Sequence, residues 1–250
     1  MENEQELIKK RLTELAKRAD TSGSYTYTPF LGLAEQTVLH NLGSVGIPYT
    51  AFGGAEGCER VVVRFGTPEI FGYDEPFPIR LLRAEPVNRK FSDKLTHRDI
   101  LGALMGLGIE RSATGDIILR DNAAYIFLLD KMADYVKENL AAAKHTVLRC
   151  AFADELPEGE LYKLTPQVLT VASSRLDCIA AAFLKQSRGD MQELIEKGLV
   201  FVDGRQTPNG AKQLAEGSIV SVRGYGRFIY RGELRETKKG RLAVQIDKFE

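Results

Sequence analysis

The sequence predicts an α+β protein in three parts. An amino-terminal α/β segment spans residues 1–74 and a ferredoxin-like (RRM-like) middle domain spans 75–155. A linker at 156–167 leads to a carboxy-terminal domain over 168–250. Three observations predict this layout. Apolar residues recur at helical spacing near the start. The middle reads strand, helix, strand, strand, helix, strand, which is the split βαβ order. Beyond residue 173, two short capped helices lead into β-rich sequence. With 250 residues, 44% of them hydrophobic, the chain can bury the cores of about two domains.

In the first part, Leu7, Ile8, Leu12, Leu15, Ala16 and Ala19 form one helical stripe, closed by Thr21–Ser24. A second helix is expected over Gly32–Leu42, stopped by Gly43. Tyr49–Phe52 and Arg60–Phe65 read as strands around the glycine-rich turn Gly53–Gly57. A phosphate loop would need a helix and a Lys-Ser/Thr pair after those glycines, and β-branched residues follow instead.

Pro76 and Pro78, beside Asp74 and Glu75, mark the boundary to the middle domain. There Ile79–Ala84 is a strand and His97 to about Gly106 a helix, with Thr96 and Asp99 at capping-box spacing. Ile117–Leu119 and Ala123–Leu128 are strands joined by a turn at Asp121-Asn122. Asp130–Ala143 is the second helix and Thr146–Phe152 the last strand. RNA-recognition domains of this topology stack bases on central-strand aromatics, and Tyr125 and Phe127 share one face of such a strand. That face could equally be core.

In the last part, Ser174 and Asp177 have capping-box spacing ahead of the stripe Leu176, Ile179, Ala180, Phe183 and Leu184. Asp190 with Glu193 caps a second helix that buries Met191, Leu194 and Ile195 and stops at Gly198. A strand run follows at Leu199–Val202 with a turn at Asp203-Gly204, and Glu216-Gly217-Ser218 then turns into the run Ile219–Phe228.

Charge separates the function classes. Lys+Arg and Asp+Glu both number 34, which argues against a general polyanion binder. Residues 1–74 hold 7 basic and 10 acidic side chains, 75–167 hold 13 and 14, and 168–250 hold 14 and 10. The balances are −3, −1 and +4, so the positive charge collects at the carboxy-terminal end. Residues 218–232 carry Arg223, Arg227 and Arg231 with no acid. Such a set neutralises phosphates and releases counterions. No apolar run of about 18 residues or secretory signal is present. Cys58, Cys150 and Cys178 stand apart, which fits a reducing cytoplasm and offers no metal cluster. His40, His97 and His145 sit in no nucleophile or metal motif: His97 opens a helix, His145 marks a helix end and His40 packs. No cofactor is expected.

Ser173-Ser174-Arg175-Leu176-Asp177, a second helix ending Leu-Ile-x-x-Gly, and Glu216-Gly217-x-x-Val-x-Val together resemble the alpha-L (S4-type) RNA-binding domain over about residues 170–232. Carried over position by position, the resemblance implies an RNA face of Ser174, Arg175, Lys185, Ser187, Arg188, Arg205, Asn209 and Lys212, extended by Arg223, Tyr225 and Arg227. The stretch Leu95–Ile109 with Gly115-Asp116-Ile117, the string Phe52–Arg60 and the ending Val222–Phe228 are similar to the YlmH family. The one departure is Asp203-Gly204-Arg205-Gln206, where the family is often more basic or aromatic. Membership would imply a non-enzymatic, cytoplasmic, monomeric protein that binds ribosomal RNA and tRNA on the large ribosomal subunit. Its expected role is quality control of stalled translation alongside other rescue factors, with no membrane partner and an older link to cell division. Two rivals stay open. One is an RNA-modifying enzyme, a pseudouridine synthase or methyltransferase with its active site in residues 50–150. The other is a cell-division scaffold that binds protein.

Overall fold

A computed structural model describes residues 2–159, 161–238 and 240–249. The chain divides into two compact units, Met1–Leu161 and Tyr162–Glu250. The architecture is α+β in both, with three antiparallel sheets.

Unit 1 begins with helix α1 (Glu2–Ser22), whose Leu12, Ala16 and Ala19 are buried at the helical spacing of the sequence stripe. Strand β1 (Thr26–Tyr27), helix α2 (Leu33–Asn41), strands β2 (Tyr49–Phe52) and β3 (Val62–Phe65), and the short α3 (Pro68–Phe71) complete the first part. The Gly32 N–H donates to the Glu35 carboxylate at the start of α2, and Gly43 (φ +66°) ends it in the left-handed region. β3 lies between β1 and β2 and is buried at every position. That includes Arg64, which reaches Asp74 at 2.7 Å and lies over the rings of Tyr25 and Phe77. Leu12, Leu31, Leu39, Val63 and Phe65 share one core.

The second part of unit 1 holds β4 (Ile79–Pro86), α4 (His97–Gly106), β5 (Thr114–Arg120), β6 (Ala123–Leu129), α5 (Asp130–Asn139), β7 (Ala142–Ala143) and β8 (Thr146–Ala153). Their antiparallel sheet has the order β5-β6-β4-β8-β7. The Thr96–Asp99 capping box forms, with the Thr96 N–H donating to the Asp99 carboxylate at 2.9 Å. Asp121 and Asn122 both adopt positive φ, as a two-residue hairpin turn requires. One expectation fails here. The second helix stops at Asn139, not Ala143, because Ala142 and Ala143 pair with Val147 and Thr146. His145 therefore sits in a hairpin turn, and His40 is exposed on α2 and not packed.

Unit 2 holds β9 (Leu164–Val171), α6 (Leu176–Leu184), α7 (Arg188–Glu196), β10 (Val200–Val202), β11 (Arg205–Gln206), β12 (Ile219–Val222), β13 (Gly226–Glu236) and β14 (Leu242–Phe249). The six-stranded sheet runs β11-β10-β12-β13-β14-β9. Leu176, Ile179, Met191, Val200, Val220, Phe228 and Ile246 form its core. The stretch 156–167 read as a linker is shorter than expected. Leu164 to Gln167 already belong to β9, which pairs along its whole length with β14, from Leu242↔Val171 to Phe249↔Leu164. Glu160, in that same stretch, lies outside the described residues.

The helix caps also change. Arg175, not Ser174, is the N-cap of α6, and no side chain closes it. The Ser174 hydroxyl bonds Gln213 instead. At α7 the capping box is Ser187 with Asp190, one turn earlier than Asp190 with Glu193.

Candidate nucleic-acid interface

The start of α6 gathers five of the eleven predicted RNA-contacting residues, Ser174, Arg175, Arg188, Asn209 and Lys212. Asp177, in its first turn, has a side chain only 9% exposed. The Arg175 Nε and Nη2 atoms donate to its two oxygens at 3.1 and 2.7 Å, and Arg188 Nη2 reaches the same carboxylate from α7 at 3.2 Å. Burial pushes the Asp177 carboxyl up, but the bonds from Arg175 and Arg188 outweigh it and hold the group below its ordinary range. The Arg175 guanidinium is correspondingly raised by its bond to Asp177. Two cations share one anion, so the trio keeps a positive charge, and both arginines stay partly exposed. A guanidinium fixed in this way loses less side-chain entropy on meeting a phosphate than a free one.

The loop after β11 is pinned beside them. The Leu176 N–H donates to the Lys212 carbonyl at 2.9 Å and the Asp177 N–H to the Gly210 carbonyl at 3.0 Å. A Cβ at Gly210 would lie 2.9 Å from the tip of Ile195 and 3.3 Å from Asp177, so a larger residue there would make these side chains shift. Exposed Asn209 and Lys212 thus stand next to Arg175, with Ser174 tied to Gln213 in the same patch. The Asn209 side-chain oxygen (Oδ1) accepts the Ala211 N–H and shapes the turn.

The remaining predicted residues divide. Lys185 is exposed at the left-handed C-cap of α6. Ser187 is exposed, but its hydroxyl serves the α7 cap. Arg223 and Tyr225 project from the β12–β13 turn, Tyr225 51% exposed, and Gly224 (φ +83°) makes that turn. Arg227 differs: its guanidinium lies over the rings of Phe249 (4.3 Å) and Tyr162 (5.2 Å), as part of the packing. Arg205 is exposed on β11, the sheet's edge strand. Sequence reasoning missed the organising role of Asp177, because its two partners belong to different helices.

In unit 1 the sheet face that could stack bases is closed. Tyr125 is 8% and Phe127 2% exposed. Gly54 (φ +103°) sits so close that a Cβ there would be 2.2 Å from the Phe127 ring, and a Cβ at Gly115 would be 2.7 Å from Phe30. Arg60 locks this contact by donating to the carbonyls of Phe30, Arg111 and Thr114 at 2.9–3.0 Å. The Glu59 N–H donates to the buried Asp116 carboxylate. Arg111 is pushed down to about 10 by its burial and by the neighbouring Arg60 charge. From the other side, Arg120 donates to the carbonyls of Pro157 and Glu158, so the chain after β8 folds back to the end of β5. The strings Phe52–Arg60 and Gly115–Ile117, singled out from sequence, are thus the two halves of one packing contact.

His97 opens α4, where burial and the Arg111 charge hold its imidazole below the ordinary value. Among the described residues no group of three or more His, Cys, Asp or Glu could hold a metal ion. Among the described residues no helix is long and apolar enough to cross a membrane.

The comparisons with known proteins follow the same regions. A family model described as "Putative RNA-binding domain in YlmH" matches residues 73–153. "Ribosome-associated protein quality control protein P2" of Bacillus subtilis (strain 168) is 29% identical over 231 residues, covering 88% of this chain and 86% of that one. The solved structure "Cell division protein ylmH from Streptococcus pneumoniae" is 24% identical and covers 60% of this chain and 91% of that chain, with a TM-score of 0.48.

Proposed function

We propose that this chain is a member of the YlmH family and a ribosome-associated RNA-binding protein that holds ribosomal RNA or tRNA on the large subunit. The observation that carries this reading is the α6 start, where Asp177 fixes Arg175 and Arg188 beside exposed Asn209 and Lys212. Arginine prepositioned at a surface suits bidentate contact with phosphate, and phosphate contacts supply most salt-dependent affinity for RNA. We read unit 2 as an alpha-L (S4-type) domain and the second part of unit 1 as ferredoxin-like. The Bacillus relative is named for ribosome-associated quality control, and we extend that role to this chain: engagement of obstructed large subunits during rescue of stalled translation.

Against the enzyme reading, the glycine-rich string of unit 1 is accounted for by packing on Phe127, and Asp177 is held by two arginines. Sedimentation with purified large subunits tests the proposal. The protein should co-migrate at low salt and dissociate as salt rises, and Arg188→Ala with Lys212→Ala and Arg223→Ala should release it at lower salt. Absence from the large-subunit fraction at low salt, with or without bound peptidyl-tRNA, would overturn it.

A further inference from the structure

The proposed RNA role leaves open how unit 1 would take part, since its sheet face is closed by the chain itself. A concave surface at the margin of that closed contact, with Gly54 and the buried Phe127 at its floor, offers an answer. A cleft of about 590 Å³ opens where the start of β4 meets the chain leaving β8. Phe52, Phe77, Phe127 and Phe152 line it. Phe52 and Phe77 stand 5.4 Å apart with tilted rings, and Phe52 is 39% exposed. Arg80 lies 3.4 Å from the centre of the Phe152 ring, with Lys137 at 4.9 Å from it. Asp154 and Glu155, both exposed, belong to the lining.

We propose that this cleft receives one unstacked base of single-stranded RNA, with guanine preferred. This rests on the reading that the protein contacts RNA. Three features favour a base. Aromatic rings and a stacked guanidinium are the surfaces on which single-stranded bases lie. The volume falls within the range of sites that enclose small planar ligands. The cleft's rings already carry the chain's own cations, Arg80 over Phe152 and Arg64 over Phe77, so an incoming cationic side chain finds those positions taken. Guanine is the preferred base because its N1–H and amino group point side by side, and a carboxylate can accept both. Arg80, although paired with Asp134 at 3.0 Å, and Lys137 place positive charge where the adjoining phosphate would run.

The test uses the full chain carrying Arg188→Ala and Lys212→Ala, so that binding by unit 2 is reduced and unit 1 dominates the readout. Fluorescence anisotropy would compare labelled uridine octamers with a central guanosine, a central inosine or an abasic site. The guanosine strand should bind at least about tenfold more tightly than the abasic one. Inosine, which lacks the amino group, should fall between them. Phe52→Ala should bring the guanosine strand to the abasic level. Asp154→Asn with Glu155→Gln, both at exposed positions, should remove the preference over inosine while the gap to the abasic strand persists. Equal affinity for guanosine and abasic strands, or a guanosine preference that neither variant alters, would overturn the proposal. So would Phe52-dependent binding of a hexa-arginine peptide without RNA binding. Large-subunit association of the wild-type chain is measured separately, so the wider proposal can stand when this one falls.

Discussion

The two units treat their RNA-like surfaces in opposite ways. In unit 1 the residues best suited to stack on bases, Tyr125 and Phe127, are both buried, Phe127 beneath the chain's own glycine-rich loop. In unit 2 the residues suited to phosphate, Arg175 and Arg188, stand partly exposed around a single buried carboxylate. Topology alone therefore does not assign a binding face. What decides is whether the chain satisfies that face internally or leaves charge on it.

The largest expected effect attacks the closed face. Gly54→Ala forces a Cβ into the Phe127 ring at a positive φ, so strain and overpacking together should cost about 3 kcal/mol or more, read as a lower denaturant midpoint. A near-neutral result would mean that the loop does not sit on the sheet and that the contrast between the units is false.

Next in size is Asp177→Asn, which leaves two arginines without their anion and should cost about 2 kcal/mol at neutral pH. The sign with pH follows from a lowered carboxyl. Its contribution is present above the unfolded value of about 3.9 and is lost as pH falls through the lower folded value. The stability gap between wild type and variant should therefore close below about pH 4, in chemical denaturation repeated across pH.

Arg188→Ala removes one of the two arginines bonded to Asp177, so it should cost less stability than Asp177→Asn, and it should lower the slope of log affinity against log salt by about 1. The smallest effect is expected for Tyr125→Phe, which should leave RNA affinity unchanged in the same titration. A loss of affinity there would show that RNA reaches the sheet face after all.

Local signals were legible in the sequence and non-local ones were not. The Thr96–Asp99 capping box, the Asp121-Asn122 turn and the helical stripe of α1 each depend on residues a few positions apart, and each forms. Ser174 and Asp177 have the same spacing as Thr96 and Asp99. Yet Asp177 is captured by Arg188 from another helix, and Ser174 by Gln213, contacts that no spacing rule reveals. The first half of β9, Leu164 to Gln167, reads as a linker because of Pro166 and its polar neighbours. Its pairing partner β14 lies at the far end of the chain, so the strand is visible only in the fold. Ala141–Ala143 favour helix by propensity, but pairing of Ala142 and Ala143 with β8 prevails. For the candidate site, the basic residues were proposed from a resemblance and from charge, whereas the Asp177 hub and the four-phenylalanine cleft needed three dimensions.

The Phe127–Gly54 contact bears on where the chain could be cut. The matched family segment, 73–153, looks like a separable module, but it omits Phe30, Gly54 and Arg60 on one side and Pro157 and Glu158 on the other. Expressed alone, it would present Phe127 and its neighbours to water as a bare apolar sheet, a surface prone to aggregation. Residues 1–161 are therefore the smallest piece of this region to be expected as a stable, dispersed product, and hydrogen exchange should report its two halves opening together.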